Sequence, residues 1–578
     1  MIKKIINLIS KKKKFFFFYI IVLNFFSTIL ELIGIGVVFP LVLFLTKPIV
    51  ELNLYKPFKL YIDLFGASSN EQLLLLTLLI VCIFFLLKTI FLIYKSYYEG
   101  KFIFELKSEI SEKLFFTYLN KDYTFFFKKN SSSLIQNVTN ITNSFIETII
   151  MPFLVIIPEI LLIFSFVSIL IFFQFDVVFY SFIVIFIPSY LFYKFFRKSY
   201  QNWGRQHEFH NRNLLKELNQ SLGSIKDIIL NQKQKFFFKN FSYHSYWSSY
   251  FSRNSHVVRN VSRFYLEFIA VLGFVVFIYF SLKIYKTEDL LPILAIIFAG
   301  VIRILPSSYK VLSSWQLLKY GKINLKILTQ EISESSNKFY NSSINDFIEN
   351  KKKTKFNHHI EFKNITFYYE KKLPIFKNLN LKIYKNKIIG ILGGTGSGKT
   401  TFIDILTGLL RPQKGLVLAD NENIHKDLSS WFNNINYLSQ SVVLLDDSIM
   451  KNIAFGQNED QIDFKRLDLA IKFACLDSYI NSLPKGIRTI VGERGIGLSG
   501  GQIQRIGVAR AIYKKDVDLY IFDESTNALD LRTEMKILTN LDKLKNKKTI
   551  IIISHHKSML KICDTVYELK NHKIKKIF

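Results

Sequence analysis

Gly393, Gly394, Thr395, Gly396, Ser397, Gly398, Lys399, Thr400 and Thr401 form one unbroken stretch with the composition of a phosphate cradle. Its glycines let backbone N–H groups approach phosphate oxygens where a Cβ would clash. Lys399 can reach the β- and γ-phosphates of a nucleotide, and the Thr400 hydroxyl can ligate Mg²⁺. The run 387–392, KIIGIL, suits a buried strand, and residues 402–410 have helical spacing. The cradle therefore lies at a helix N-terminus, whose partial positive charge favours an anion. A glycine-rich stretch alone is often only a turn. The full Gly-x4-Gly-Lys-Thr spacing behind a strand points to nucleotide phosphates.

Further residues could complete hydrolytic chemistry. The run 519–524, LYIFDE, reads as a buried strand ending in two carboxylates. Asp523 can hold the Mg²⁺ shell and Glu524 can polarise an attacking water. Gln440 follows the strand-like run 435–439 and is placed to contact metal or water at the site edge. His555 follows 549–554 and is placed to reach the γ-phosphate. A lone Gln or His is more often structural; these two gain weight from their position after predicted strands.

These residues need an α/β scaffold, and the second half of the chain alternates strand and helix patterns as a phosphate-loop domain should. The first half is different. Of 578 residues, half are hydrophobic and 58 are Phe, and the apolar ones concentrate before position 310. Six runs approach the length of about 20 residues that crosses a bilayer as a helix: 15–45, 73–98, 145–173, 177–196, 264–282 and 290–305. The net charge of +31 suits nucleic acid or an anionic membrane surface; the apolar blocks select the membrane and exclude a nucleic-acid partner. Basic residues crowd the N-terminus and the connections 101–143 and 197–263, which predicts both termini and the ATPase half on the cytoplasmic side. The basic start leads into a retained membrane segment, not a cleaved signal. Cys82, Cys475 and Cys563 give neither a disulfide framework nor a zinc site.

The predicted organisation is a membrane domain over 1–330, a Ser-, Asn- and Lys-rich linker over 331–358 and an ATPase domain over 359–578. Each long inner connection has a non-periodic stretch, 122–132 and 231–240, read either as a contact between membrane and ATPase halves or as a solvated loop. Leu54, Phe58, Tyr61 and Phe65 recur at helical spacing in the first outer loop, either as an interfacial amphipathic helix or as a packed surface loop. Charges within or beside the spans are Glu31, Lys88, Glu159, Glu267, Arg303 and Lys310. Such charges are costly and mark functional candidates. Lys88, Arg303 and Lys310 could line a cavity for an anionic cargo, or the carboxylates could pair with them structurally.

The stretch 498–502, LSGGQ, beside the phosphate loop makes the chain resemble the ABC transporters. The resemblance implies a fold: an α-helical membrane domain with six transmembrane helices, of ABC exporter type, fused to an α/β P-loop ATPase domain. It implies that ATP and Mg²⁺ are the cofactors. It also implies that Ser499, Gly500, Gly501 and Gln502 of one copy close over the phosphate loop of another, making the chain a homodimer with composite sites. Tyr369 matches the aromatic that stacks on adenine, Glu493 the loop that senses the membrane domain, and 527–530, NALD, a loop usually reading SALD. Asn527 for Ser, Ile503 after the signature and His556 after His555 are departures that remove no catalytic group.

A narrower likeness, carried by LELIGIGVVFP, RFYLEFIAVLGF and IRILPSSYK, is to bacterial flippases of lipid-linked oligosaccharides. Lys88, Arg303 and Lys310 match that family's basic cavity positions, with Lys at two places where Arg is usual. It implies a polyprenyl-pyrophosphate glycan as substrate, membrane lipid as partner and the bacterial inner membrane as location. The alternatives are export of another lipid, a peptide or a drug, and, in another class, an ATP-gated channel or regulatory subunit, against which the intact Glu524 argues.

Overall fold

The computed structural model describes residues 5, 8–37, 70–173, 175–284, 287–333, 356–369, 374–492, 495–524, 528–554, 560–570 and 572–578. The chain divides into two compact units, one of residues 1–121 and 125–340, the other of 122–124 and 341–578.

The first unit is helical: α1 (Lys11–Gly36), α2 (Asn70–Leu119), α3 (Met151–Phe173), α4 (Phe175–Gly223), α5 (Gln234–Ile284), α6 (Thr287–Tyr320) and α7 (Lys322–Ser333). Long runs of Leu, Ile and Phe leave no water-facing partner for the backbone, so each segment must satisfy its own N–H and C=O groups as a helix. Among the described residues, Lys11–Gly34, Glu71–Leu119, Ser131–Ser168 and Gln234–Tyr279 are long and apolar enough to cross a membrane. The 50 residues of α2 reach about 75 Å at 1.5 Å per residue, well beyond a hydrocarbon core of about 30 Å. The helices thus continue far past the bilayer.

The chain enters α3 through two π-helical turns, Asn137–Ile141 and Ile146–Ile150. Thr142 Oγ1 donates to the Asn137 carbonyl at 3.0 Å, five residues back. Phe102, Leu106 and Leu114 of α2 pack with Phe145, Ile149 and Leu154 in a core that excludes water. The turn from α6 to α7 passes Gly321, where a Cβ would lie 2.0 Å from Thr148 Oγ1; only glycine fits.

In the first expected irregular stretch, a short helix, Tyr123–Lys128, interrupts the path. The second is narrower than expected. A short helix, Ile225–Leu230, is followed by a break at 231–233, and α5 already begins at Gln234. Residues 234–240, read as non-periodic, are helical because the run holds no Pro or Gly and starts with the good helix formers Gln and Lys. The outer-loop positions Leu54, Phe58, Tyr61 and Phe65, the first span beyond residue 37, and linker residues 334–355 lie outside the described residues.

The second unit holds two sheets. One is antiparallel, with β1 (His359–Phe367), β2 (Phe376–Tyr384), β4 (Lys414–Ala419) and β5 (Glu422–Asn423) in the order β2-β1-β4-β5. The other contains β3 (Ile388–Gly393), β6 (Ile435–Leu438), β7 (Leu519–Asp523), β8 (Thr549–Ile553), β9 (Thr565–Lys570) and β10 (Lys573–Lys576) in the order β10-β9-β3-β8-β7-β6. Its strands are parallel except β10. Every residue of β7 and β8 is buried, which explains their unbroken apolar sequences. The first helix after β3 is α8 (Lys399–Thr407), stopped by Gly408 at φ 82°. It starts three residues earlier and ends earlier than the spacing over 402–410 predicts, since a left-handed glycine caps a helix wherever it falls. Phe402 stacks on Phe362 at 4.7 Å, joining α8 to the antiparallel sheet.

Candidate nucleotide site and membrane ion pairs

The carboxyl end of β3 and the start of α8 suspend the glycine loop between two fixed elements. Gly396 and Gly398 have φ of +78° and +97°, backbone that L side chains rarely adopt. A Cβ at Gly398 would lie 2.8 Å from Ile375 Cγ2, whereas the Cβ directions of Gly394 and Gly396 face open space. Lys399 Nζ donates to the Gly393 carbonyl at 2.8 Å and stands 3.3 Å from Glu524 Oε1. Ser397 Oγ is buried with no hydrogen-bond partner, a donor left for a ligand oxygen. Thr400 is exposed. The Thr401 hydroxyl lies 3.2 Å from the Tyr369 hydroxyl, and the ring of Tyr369 is exposed.

β7 delivers both carboxylates to this loop. Asp523 and Glu524 are buried. Tyr437 Oη donates to Asp523 Oδ2 at 3.1 Å, and Gln440 Nε2 donates to Glu524 Oε2 at 2.8 Å. Glu524 has φ 45°, and its N–H is held by the Ile553 carbonyl at 2.9 Å, which turns the chain sharply out of β7. Asp404, one turn after Thr400 on α8, is also buried. Burial, then the Asp523 charge, push its carboxyl up to about 6. The Asp523 carboxyl is raised as well, by burial first, with the Tyr437 hydrogen bond opposing.

A buried carboxylate raised by a neighbouring carboxylate calls for a cation. The nearby donors are oxygen: the Thr400 hydroxyl, the Gln440 amide and Asp523. Oxygen ligands suit Mg²⁺, which binds through few protein groups together with phosphate. The orphaned Ser397 hydroxyl and the open glycine cradle suit the phosphates. The residues present therefore fit ATP with Mg²⁺. Tyr437 and Asp404 were not singled out by the sequence. The signal for Tyr437 was its alternation along β6, three positions before Gln440.

Ser499 caps the helix α9 (Gly500–Tyr513), its hydroxyl accepting from the Gln502 N–H while Gln502 Oε1 accepts from the Ser499 N–H at 2.8 Å. The hydrogen bonds of these two residues close on each other. A Cβ on Gly501 would meet the Ala528 carbonyl at 3.0 Å, so glycine keeps this helix N-terminus bare. His555, His556, Glu493 and Asn527 lie outside the described residues.

In the helical unit, each expected cavity cation has a carboxylate partner. Lys88 Nζ lies 2.7 Å from Glu31 Oε2, and Arg303 Nη2 lies 2.8 Å from Glu31 Oε1. Lys310 Nζ lies 2.7 Å from Glu159 Oε1. Arg303 Nε and Glu159 Oε2 are buried without hydrogen-bond partners. Glu267 pairs with Arg263 one turn away at 2.8 Å, exposed. Of the two readings of the membrane charges, pairing is what the side chains do, and it joins α1, α2 and α6 at Glu31.

Residues 376–527 match the ABC transporter family model. Over 217 residues the chain is 36% identical to the ATP-dependent lipid A-core flippase of Wigglesworthia glossinidia brevipalpis, a match covering 37% of each protein. It is 40% identical over 217 residues to the leukotoxin translocation ATP-binding protein LktB of Mannheimia glucosida, covering 37% of this chain and 30% of that one. The lipid A-core flippase of Escherichia coli K12 is 35% identical over 209 residues, 36% of each. The matches thus span between 30% and 37% of these relatives' length. A bacterial Atm1-family ABC exporter, solved with ATP bound, shares the fold, with a TM-score of 0.78 at 18% identity over 99% of this chain and 94% of that one.

Proposed function

We propose that this chain is an exporter of the ABC type, a reading supported by the family-model match over 376–527 and by the shared exporter fold, and that it couples ATP hydrolysis to flipping an anionic lipid across the bacterial inner membrane. The substrate class is a polyprenyl-pyrophosphate bearing a glycan. The observation that carries this reading is that two cations from different membrane helices, Lys88 and Arg303, meet on the two oxygens of one carboxylate. A site that organises two cations around one anion suits a phosphate-bearing headgroup.

In the ATPase unit, Lys399, the Ser397 hydroxyl and the loop N–H groups bind the phosphates. Tyr369 supports the adenine. Thr400, Gln440 and Asp523 would hold Mg²⁺, with Tyr437 orienting the Asp523 carboxylate. Mg·ATP supplies the phosphoanhydride bond and the charge neutralisation for its cleavage. Glu524 orients and deprotonates the attacking water, and His555 contacts the γ-phosphate. Ser499, Gly500, Gly501 and Gln502 of a second copy close the site, so the working unit is a homodimer. Nucleotide shifts the membrane helices only through its differential affinity for two arrangements of that dimer.

The lipid A-core flippase relatives favour a lipid, and the leukotoxin translocation relative favours the second reading, export of a cargo that is not a lipid, for which a peptide is the test case. Reconstitution with fluorescent probes separates them. ATP-dependent movement of a polyprenyl-pyrophosphate glycan, with phosphatidylethanolamine and an unrelated peptide left in place, supports the proposal. Movement of peptide without the glycolipid replaces it with the second reading.

A further inference from the structure

Glu31 occupies both cations of the membrane site at once, one on each oxygen. The three side chains are shielded, with Lys88, Glu31 and Arg303 exposing 11%, 18% and 28% of their surface. Cations so placed are costly without an anion, and the chain supplies its own. We infer that Glu31 is a resident counter-anion which a lipid headgroup must displace, and that it sets the minimum charge a lipid needs to enter. This rests on the anionic-lipid reading above.

Binding at such a site is an exchange of one anion for another. A monoanionic phosphodiester, such as the headgroup of phosphatidylglycerol, offers one charge over two free oxygens, as the carboxylate does, and gains little by the exchange. A pyrophosphate carries more charge and more acceptor oxygens, and it gains. Glu31 thereby keeps the cations clear of the phosphodiesters that fill a bacterial bilayer, a case of specificity obtained by penalising the wrong ligand.

The displaced carboxylate has a place to go. Ser27 lies one turn before Glu31 on α1, and Lys95 Nζ donates to its hydroxyl at 3.1 Å. Lys88 and Lys95 are seven residues apart on α2 and share a face, so Lys95 is the next cation along for Glu31. Toward the other end of α1, the absent Cβ of Gly34 would lie 3.3 Å from Lys88 Nζ. Phe85 and Phe84 ring atoms lie 3.6 and 3.7 Å from the same point, so the ammonium sits between the Gly34 backbone and two rings, and a side chain at Gly34 would crowd it.

The test uses the full chain in nanodiscs, with ATP hydrolysis followed as undecaprenyl pyrophosphate is added in phosphatidylcholine or in phosphatidylglycerol. For the wild type, half-saturation is expected to be nearly the same in both lipids. For Glu31→Gln it is expected to fall several-fold in phosphatidylcholine and to rise about tenfold when phosphatidylglycerol replaces it. Glu31→Asp, which keeps the charge, should retain wild-type selectivity and also guards against a folding defect in the Gln variant. If Glu31→Gln lowers the maximal rate in both lipids without changing their ratio, Glu31 is a structural pair and the inference is wrong. If the wild type hydrolyses ATP but ignores undecaprenyl pyrophosphate in either lipid, the anionic-lipid reading itself fails.

Discussion

Lys399 Nζ lies 3.3 Å from Glu524 Oε1, inside the glycine loop and at the end of β7. The cation that would bind the γ-phosphate and the carboxylate that would activate water thus form an ion pair. Phosphate oxygens in the loop would compete with Glu524 for Lys399, while Gln440 Nε2 donates to the other Glu524 oxygen. In the proposed mechanism, binding and activation would be linked through one side chain.

Glu524→Gln keeps the Gln440 contact but removes the proton acceptor. We expect phosphate release to fall about 10²–10⁴-fold while ATP binding, measured by retention of labelled nucleotide, persists. Lys399→Ala should instead lose the binding. An active Glu524→Gln protein would show that another group activates the water.

Asp404 makes the ATPase unit sensitive to pH. Its carboxyl titrates near 3.9 when unfolded and is pushed up to about 6 when folded. Between those values the folded state holds a proton that the unfolded chain has lost, so stability falls as pH rises through the interval. Above it the loss is complete, at about 2 kcal/mol once solvent screening is allowed for. Asp404→Asn abolishes that loss. In nucleotide-free protein its thermal midpoint should exceed the wild type's at pH 8 and match it near pH 4. Parallel profiles for the two proteins would contradict this account.

Ser499 both caps α9 and belongs to the proposed composite site. Ser499→Ala should cost about 1 kcal/mol of cap stability and lower hydrolysis further than that loss explains. Ser499→Thr should restore both. A hydrolysis rate that follows thermal stability alone across the pair would leave Ser499 as a cap only.

Gly321 is a packing requirement of the helical unit. In Gly321→Ala the new methyl meets Thr148, whose Oγ1 is 2.0 Å and whose Cβ is 2.6 Å from the Cβ position. Overpacking of this kind costs about 1–3 kcal/mol, read as a lower thermal midpoint in detergent. Thr148→Gly should recover part of it.

The turn between β3 and α8 was legible because a glycine-rich run follows a strand-like one, and the proximity of Asp523, Glu524 and Gln440 because each lies at or just after the end of a strand-like run. Strands β3, β6, β7 and β8 followed from the same runs. What the sequence left open depended on contacts between distant segments. Pairing of Glu31 with Lys88 and Arg303 joins three helices, and the spans alone did not decide between a bare cationic cavity and paired charges. Asp404 reads as an ordinary helix residue until β7 brings Asp523 beside it. The restart of α5 at Gln234 was missed because a polar, aromatic run has no clean apolar period, although its residues favour helix.

In the proposed cycle, nucleotide hydrolysis moves a lipid-linked saccharide. The most direct measurement is flipping of a fluorescent polyprenyl-pyrophosphate glycan in proteoliposomes, with and without ATP, beside Glu524→Gln. The account predicts ATP-dependent loss of probe from one leaflet with the wild type and none with the variant. Normal ATP hydrolysis with the probe left in place would contradict it.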